Sequence, residues 1–210
     1  MRRPELAEQF SSIESQAHAA RFGMWVFLGS ETLLFAALFG LYGAYRTMYP
    51  ADFAHAVAYN NAIIGTTNTA VLITSSLTVA LSIHSLRQSR SKVAGWLLAL
   101  TVMLGGVFLL LKGIEYREHF HEHIFPGAAY ASEKLPSHGA NLFFTIYFLA
   151  TGLHALHVIA GMGVLGGLAV FCMRNAYGAE YHLPVELAGL YWHLVDLVWI
   201  FLWPILYLAR

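Results

Sequence analysis

Ionisable side chains lie deep within three of the five long apolar stretches in this sequence. Glu31 lies in the first stretch, His154 and His157 lie in the fourth, and His193 and Asp196 lie in the fifth. A charged side chain at bilayer depth costs several kcal/mol, so such groups mark a proton pathway, a polar partner or a ligand site. The i,i+3 spacing in the fourth and fifth stretches places each pair on one helix face. We therefore expect these groups to face inward or towards an interface.

Haem coordination by the intramembrane histidines is not expected. Axial ligation needs imidazoles above and below one porphyrin plane, whereas His154 and His157 share one helix face. His193 already has Asp196 as a local partner, and we interpret these two as a structural pair that satisfies each other or the fourth stretch. We therefore predict no haem in this chain.

A second cluster lies in EYREHFHEHIF, where His119, His121 and His123 alternate with Glu118 and Glu122. In an extended segment this spacing would place the three imidazoles on one face, and imidazole with carboxylate can hold zinc or copper. Exposed loop histidines are more often free than bound. We therefore predict no metal site and keep metal binding by this loop as the minority interpretation.

The composition is that of a membrane protein. The chain has 210 residues, of which 58% are hydrophobic and 11% are charged, and its mean hydropathy is +0.57. The formal net charge is zero, which argues against nucleic acid as a partner. The single cysteine, Cys172, cannot form an intramolecular disulfide.

Five stretches are long enough to cross the hydrocarbon core, which takes about 20 mainly apolar residues. They cover roughly residues 22–45, 62–85, 93–114, 140–173 and 188–208. These stretches predict an all-α integral membrane bundle of five transmembrane helices in a single membrane domain, residues 1–210. The N-terminal segment carries three glutamates and has no apolar core, so we interpret it as a short amphipathic tail rather than a signal peptide.

Lysine and arginine residues in the flanks of the spans set the orientation. With the N-terminus inside, the inner flanks hold Arg2, Arg3, Arg21, Arg87, Arg90, Lys92 and Arg174, and the outer flanks hold Arg46, Lys112, Arg117, Lys134 and Arg210. The densest basic cluster is the loop HSLRQSRSK on the inner side. We therefore predict that the N-terminus is inside and the C-terminus outside.

Small and hydroxyl residues are concentrated in two spans. The second span is rich in Thr and Ser, which favours close helix packing with interhelical hydrogen bonds over the alternative of a polar permeation path. The run GMGVLGG has G-x-G-x-x-G spacing, but it lies in an apolar helix without a preceding strand. It therefore indicates close packing and not dinucleotide binding.

Five runs of the sequence together resemble the subunit III family of haem-copper oxidases, in particular its short five-helix bacterial form. The runs are FGMWVFLGSETLLFAALF, NTAVLITSSLTVALSIHSL, GGVFLLLKGIEY, TGLHALHVIAG and PVELAGLYWHLVDLVWIFLWPILYL. They cover all five spans in order. The last two runs are the most specific, because HALHVIAG and YWHLVDLVWIFL are chemically unusual for membrane helices.

The resemblance implies a structural and regulatory role without a redox centre, so we expect no catalytic residue and no metal or redox cofactor in this chain. Such a subunit packs against catalytic subunit I of a proton-pumping cytochrome c oxidase, which reduces O2 to water in aerobic respiration. Haem and copper are then expected in the partner subunits I and II, and phospholipid in a cleft between helices. Cytochrome c or a larger respiratory supercomplex would be further partners, and the location would be a bacterial cytoplasmic (inner) membrane.

The resemblance also implies roles for single residues. Glu31 matches the family's buried glutamate, which is linked with proton uptake into subunit I, and His157 with Arg174 resembles its lipid-headgroup contacts. The remaining matched polar positions are Glu115, His154, Glu186, Trp192, His193 and Asp196. We expect Glu31 to lie near the subunit I interface, bonded to a neighbouring helix or a headgroup, at roughly 13 Å from the inner end of its span.

Two departures from the family pattern leave alternatives open. Longer members have seven helices and this chain resembles the last five, so the lipid cleft is not expected to be complete within it. Lys112 stands where many members have glutamine. The alternatives are subunit III of a quinol oxidase and an accessory protein of nitric oxide reductase, which both tend to have aspartate at the first site. Glu31 together with KGIEY favours the cytochrome c branch.

A third alternative is a stand-alone transporter that uses Glu31, His157 and Asp196 as a relay. The five spans show no inverted repeat, which weakens this interpretation. A further expectation concerns the outer loops, where Glu118 and Glu122 could lie near a docking surface for a basic electron donor such as cytochrome c.

Overall fold

The computed structural model describes residues 6–209, and every regular element in this range is helical. The six α-helices are α1 (Ile13–Met48), α2 (Pro50–Tyr59), α3 (Ala62–Arg87), α4 (Ser91–His121), α5 (His138–Met173) and α6 (Leu183–Tyr207). A single 3-10 turn, Gly127–Ala129, lies in the loop between α4 and α5. Five of the helices, all except α2, are long and apolar enough to cross a membrane. The prediction of an all-α bundle with five spanning helices is confirmed.

Two helices extend well beyond the predicted spans. The first begins at Ile13, because the side chain of Ser12 caps its first turn by accepting a hydrogen bond from the amide of Ser15 at 3.1 Å. Helix α4, which contains the third predicted span, runs on to His121, although the apolar stretch ends near residue 114. The segment 46–61, predicted as a loop, contains α2, with Pro50 at its first position.

Helices α3 to α6 form an antiparallel four-helix bundle, in which α3 and α5 each contact both α4 and α6. Helix α1 packs outside this bundle against α5 and α6, and α2 lies across the end of the bundle against α1, α5 and α6. We call the end with the start of α1 the inner end and the end with α2 the outer end, after the predicted orientation. That orientation stays a prediction, and Arg2, Arg3 and Arg210 of its charge count lie outside the described residues.

Helix α1 is attached by a narrow stripe. Leu28, Phe35 and Tyr42 are its buried residues and recur every seven positions, which places them on one helix face. The Tyr42 hydroxyl donates a hydrogen bond to the carbonyl of Ile205 at 2.7 Å and so ties α1 to α6 near the outer end. The opposite face of α1 is exposed over its whole length.

Glycines on α4 and α5 leave the space that the buried ring of Trp192 occupies. Trp192 on α6 is fully buried, and a Cβ atom on Gly161 of α5 would lie 2.8 Å from its ring. A Cβ on Gly105 of α4 would lie 3.2 Å from the same ring. Close packing by the GMGVLGG run is therefore confirmed for Gly161, whereas Gly163 has no neighbour within 4 Å.

Hydroxyl groups of α3 make the interhelical hydrogen bonds that its composition predicts. Thr78 bonds Thr101 of α4 at 2.7 Å, Ser75 accepts from the indole of Trp192 at 3.0 Å, and Thr69 accepts from Trp199 at 3.0 Å. These bonds satisfy polar groups that lipid could not. They support packing as the role of this polar helix.

Candidate functional site

Glu31 and His157 meet between α1 and α5 and form the candidate site. The carboxylate Oε2 of Glu31 lies 2.9 Å from Nε2 of His157. Their side chains are only 18% and 15% exposed. The expectation that Glu31 bonds to a neighbouring helix is therefore met by a residue 126 positions away in the sequence.

The surroundings of His157 fix its ring in place. Its Nδ1 lies 2.8 Å from the carbonyl of Leu153, one turn earlier on α5. Phe35 of α1 packs edge-on against the ring at 5.3 Å between centroids, and the Tyr191 hydroxyl of α6 donates to the carbonyl of His157 at 3.1 Å. The ring of His157 is thus bonded within α5 and packed by α1, while α6 bonds the backbone of the same residue.

The hydrogen bonds determine how many protons the site holds. A carbonyl can only accept, so Nδ1 of His157 must carry a proton and donate it to Leu153. Nε2 then bonds Glu31 in one of two ways: neutral Glu31 donates its carboxyl proton, or protonated His157 donates to ionised Glu31. In both states one proton lies between the two side chains and the pair is neutral overall. A neutral pair avoids the cost of a lone charge at membrane depth.

The pair lies near the middle of both helices. Glu31 is about halfway along Ile13–Met48, and His157 is about halfway along His138–Met173. The predicted position closer to the inner end assumed a span that began at residue 22. Relative to the full helix that bias is absent.

A second polar cluster ties three helices together at the inner end. Glu186, in the first turn of α6, accepts a hydrogen bond from Arg87 of α3 at 2.9 Å and lies 3.5 Å from Arg21 of α1. Its other carboxylate contact is His182, at 3.1 Å. The two arginines are more than half exposed, so solvent screens these ion pairs. This places Glu186 in a surface clasp and not in the membrane core.

Glu115 belongs to a buried ion pair towards the outer end. Lys112 donates to Glu115 at 2.9 Å, to the hydroxyl of Tyr147 at 2.8 Å and to that of Tyr207 at 2.9 Å. The Tyr207 hydroxyl in turn donates to Glu115 at 2.7 Å. The side chains of Lys112 and Glu115 are only 4% and 1% exposed. Helices α4, α5 and α6 therefore converge on one fully bonded pair.

Aromatic rings surround the ammonium group of Lys112. Its Nζ lies 4.7 Å from the ring centroid of Tyr147 and 5.3 to 5.6 Å from those of Tyr116, Trp199 and Tyr207. Ring faces attract a cation, and the attraction grows when water is excluded. These rings and hydrogen bonds accommodate the buried lysine.

The structure overturns the premise of a metal site in the outer loop. Helix α4 continues through His121, so His119 and His121 are on different faces of a helix and not aligned along an extended segment. His119 is 4% exposed and its Nε2 bonds the side-chain oxygen of Asn60 at 3.0 Å. Within residues 6–209, no group of three His, Cys, Asp or Glu side chains is placed to hold a metal ion.

Asn60 joins this outer region to the rest of the bundle. Its side-chain nitrogen donates to the carbonyl of Leu206 on α6 at 2.9 Å, while its oxygen faces His119. The one residue therefore connects the end of α2 with α4 and α6. His119 is a structural residue at this junction.

The expected hydrogen bond between His193 and Asp196 is absent. His193 Nδ1 instead bonds the hydroxyl of Ser76 on α3 at 2.6 Å. Ser76 is close enough to interact with the carboxyl group of Asp196 as well. Within residues 6–209, however, neither carboxylate oxygen of Asp196 has a hydrogen-bond partner of good geometry. The prediction that the two residues satisfy each other or the fourth span is wrong. His193 is bonded instead to α3, which is the second predicted span.

His154 and Arg174 lie apart from the Glu31–His157 pair. His154 is fully buried, with its ring 5.4 Å from that of Phe108 and 5.2 Å from that of Trp199, and within residues 6–209 neither of its ring nitrogens has a partner. Arg174 is exposed at the C-terminal end of α5. At about 1.5 Å of rise per residue it lies about 26 Å from His157 along the helix, so one headgroup cannot contact both.

Comparison with known proteins identifies the family. Residues 11–209 match the family described as cytochrome c oxidase subunit III. The chain belongs to the cytochrome c oxidase subunit III family. A bacterial subunit III, from Bacillus sp. (strain PS3), is 33% identical over 189 residues, which cover 89% of this chain and 84% of the relative.

Subunit III proteins of animals have nearly the same sequence identity to this chain. The protein of Locusta migratoria is 32% identical over 199 residues, and that of Struthio camelus is 30% identical over 194. Each alignment covers 89% of this chain and 68% of the relative. The resemblance inferred from the five sequence runs is confirmed, and these relatives are subunits of an oxidoreductase.

Sequence reasoning missed three groups that shape the subunit III bundle. Tyr147 and Tyr207 complete the Lys112–Glu115 pair, and Arg21 reaches Glu186. The i,i+3 spacing of Lys112 and Glu115 was a signal for the ion pair. The tyrosines had no such signal, because they come from helices 35 and 95 residues away in sequence.

Proposed function

We propose that this chain is the non-redox third subunit of a proton-pumping cytochrome c oxidase in a bacterial cytoplasmic membrane. It stabilises subunit I and supports proton uptake into it, while haem and copper reside in subunits I and II. The observation that carries this proposal is the one-proton pair of Glu31 and His157, held by three helices of a subunit III bundle. Support for the cytochrome c branch comes from relatives named for that oxidase.

The proposed role of the Glu31–His157 pair is to hold and exchange a proton near the path into subunit I. Glu31 provides the carboxyl group and His157 provides the acceptor that keeps the pair neutral. The Leu153 carbonyl holds the imidazole through Nδ1, so the proton position does not depend on a mobile ring. The small exposed fraction of both side chains allows exchange with a group on a neighbouring subunit.

Phospholipid binding is proposed for the groove between α1, α5 and α6. An apolar cavity of about 390 Å³ lies one turn to the inner side of the pair, lined by residues such as Phe27, Val164 and Tyr191. It shares Pro184 and Leu187 with a second cavity of about 350 Å³ that reaches the inner surface. An acyl chain fits the first cavity, and a zwitterionic headgroup fits the second.

Charged groups of both signs line the mouth of this groove. Arg21 and His182 lie there together with Glu180 and Glu186, so the lining suits the paired charges of a zwitterionic headgroup. The groove brings an acyl chain to the level of Ala160, one turn from His157. His157 is therefore proposed to contact the buried part of a lipid, and Arg174 to contact a separate headgroup at the inner surface.

A mild-detergent pull-down of the full chain tests the proposed function. An absorption spectrum of the purified material should show haem and copper centres carried by larger co-purifying subunits. Non-haem iron would indicate the nitric oxide reductase alternative, and a colourless lone chain would indicate the transporter. Oxidation of reduced cytochrome c by the purified complex, rather than of quinol, would separate the two oxidase branches.

A further inference from the structure

Helix α6 carries a polar side chain, His193, at mid-depth in its seam with α3. His193 is half-buried in the seam between α6 and α3 and uses Nδ1 to bond Ser76. Its Nε2 has no partner within residues 6–209. An imidazole bonded at one nitrogen still offers a donor or an acceptor at the other. That group points to a partner beyond this chain.

The depth of His193 limits what this partner can be. At about 1.5 Å of rise per residue, His193 lies about 15 Å from the first residue of α6 and about 21 Å from the last. Ser76 likewise lies close to the midpoint of α3. In a hydrocarbon core of about 30 Å, lipid headgroups cannot reach this level and acyl chains offer no hydrogen bond. A side chain from another protein helix can supply one.

The spacing of the residues around His193 fits such a helix. Leu190, His193, Leu197, Ile200 and Pro204 recur at alternating intervals of three and four, which is the seam of a helix–helix contact. Leu197 and Ile200 are 48% and 40% exposed within this chain. A single polar residue in an apolar seam specifies the register of the partner helix. We call these five residues the α6 stripe.

The neighbouring helices leave room beside the α6 stripe. Between α1 and α6 lies an apolar groove of about 240 Å³, lined by residues such as Ala36, Phe39 and Phe201. On the other side, Ile73 of α3 lies one turn from Ser76 and is 53% exposed. The stripe is therefore the centre of a broad apolar surface with one hydrogen-bonding group.

We propose that the α6 stripe is the contact surface for a transmembrane helix of a partner subunit, which places a hydrogen-bonding side chain opposite Nε2 of His193. This proposal rests on the proposed assembly with larger oxidase subunits. It names the surface through which this chain joins them. The groove beside the stripe is bordered by Phe35, which also packs against His157.

Site-specific photocrosslinking in the intact complex tests the surface. A benzophenone amino acid replaces Leu197 in the stripe, and in the control it replaces Leu110, which is on α4 and 70% exposed. The two positions lie at similar depths, because each is about three turns from the outer end of its helix. Irradiation should link position 197 to a larger membrane subunit with a yield at least several-fold above that from position 110.

The outcomes separate this proposal from the proposed function. If haem-bearing subunits co-purify but position 197 gives no more product than position 110, or links two copies of this chain, the contact surface is wrong and the proposed function stands. If no haem-bearing subunit co-purifies with the unmodified chain, both proposals fail.

Substitutions at His193 test the hydrogen bond itself. His193→Leu should reduce recovery of the larger subunit about tenfold, while His193→Gln, which keeps a hydrogen-bonding group, should restore most of it. Ser76→Ala removes interactions within this chain only, with His193 and with the Asp196 carboxyl, and should leave recovery unchanged. Equal loss in His193→Leu and Ser76→Ala would show that His193 serves only the packing of α3 against α6, and would overturn the proposed partner bond.

Discussion

The hydrogen bond between Glu31 and His157 links two residues that the sequence places 126 positions apart. The type and depth of each residue could be predicted from its apolar surroundings, because lipid does not tolerate an isolated ionisable group. Their pairing could not be predicted, because α1 packs outside the bundle and its neighbours follow from tertiary packing alone. The structure thus converts two separate candidates into one proton-holding site.

The hydrogen bonds of His157 predict which of its ring nitrogens carries a proton. The carbonyl of Leu153 requires a proton on Nδ1 in both states of the pair. Nitrogen-15 NMR of the histidine-labelled protein in lipid, assigned with a His157→Gln variant, should therefore show a protonated Nδ1 at neutral pH. A bare Nδ1 with the proton on Nε2 would contradict the proton count of the site.

The buried pair of Lys112 and Glu115 gives a second residue-scale prediction. Lys112→Met leaves the Glu115 carboxylate buried without its cation, and such a loss costs about 3–5 kcal/mol of unfolding free energy. The double variant Lys112→Met with Glu115→Gln removes both charges and should recover most of that loss. Thermal unfolding of the purified protein in detergent measures the three values. If Lys112→Met were as stable as the unchanged chain, the ion pair would make no net contribution to the free energy of unfolding.

At the scale of the helices, sequence patterns predicted the spans better than their ends. All five spans were found because each holds about 20 apolar residues. The ends of α1 and α4 were missed because these helices continue past the apolar stretch on polar residues, one from a Ser12 cap and one through EYREHFH. Helix α2 was missed because so short a helix gives too weak a periodic signal.

Two glycines of α5 offer a matched test of helix packing. Gly161→Ala places a methyl group 2.8 Å from Trp192, whereas Gly163→Ala meets no atom within 4 Å. Overpacking should destabilise the first variant by about 1–3 kcal/mol, and the second should be neutral or gain up to about 1 kcal/mol from helix propensity. Thermal unfolding of both variants provides the comparison. Equal stability would show that α6 can move away from α5 without cost.

At the scale of the whole molecule, the bundle divides into a rigid part and an attached helix. Helices α3 to α6 share buried tryptophans, glycine contacts and the Lys112–Glu115 pair, whereas α1 is held by a narrow stripe, one tyrosine bond and the inner clasp at Glu186. The Glu31–His157 pair lies at the boundary between these two parts. The pair therefore also helps to attach α1 to the bundle.

The central claim is that the proton of the Glu31–His157 pair supports proton uptake by the assembled oxidase. Glu31→Gln keeps a hydrogen-bonding side chain of the same size at His157 but removes the exchangeable carboxyl proton. Thr32→Val, at the exposed next position of α1, is the control.

The measurement that tests this claim most directly is proton uptake during oxygen reduction by the purified complex, recorded together with its inactivation during turnover. We predict that Glu31→Gln slows proton uptake and shortens the active lifetime by roughly tenfold, the effect of about 1.4 kcal/mol, with unchanged haem content, while Thr32→Val behaves as the unchanged protein. Proton uptake, turnover and lifetime that are all unaffected by Glu31→Gln would contradict the claim.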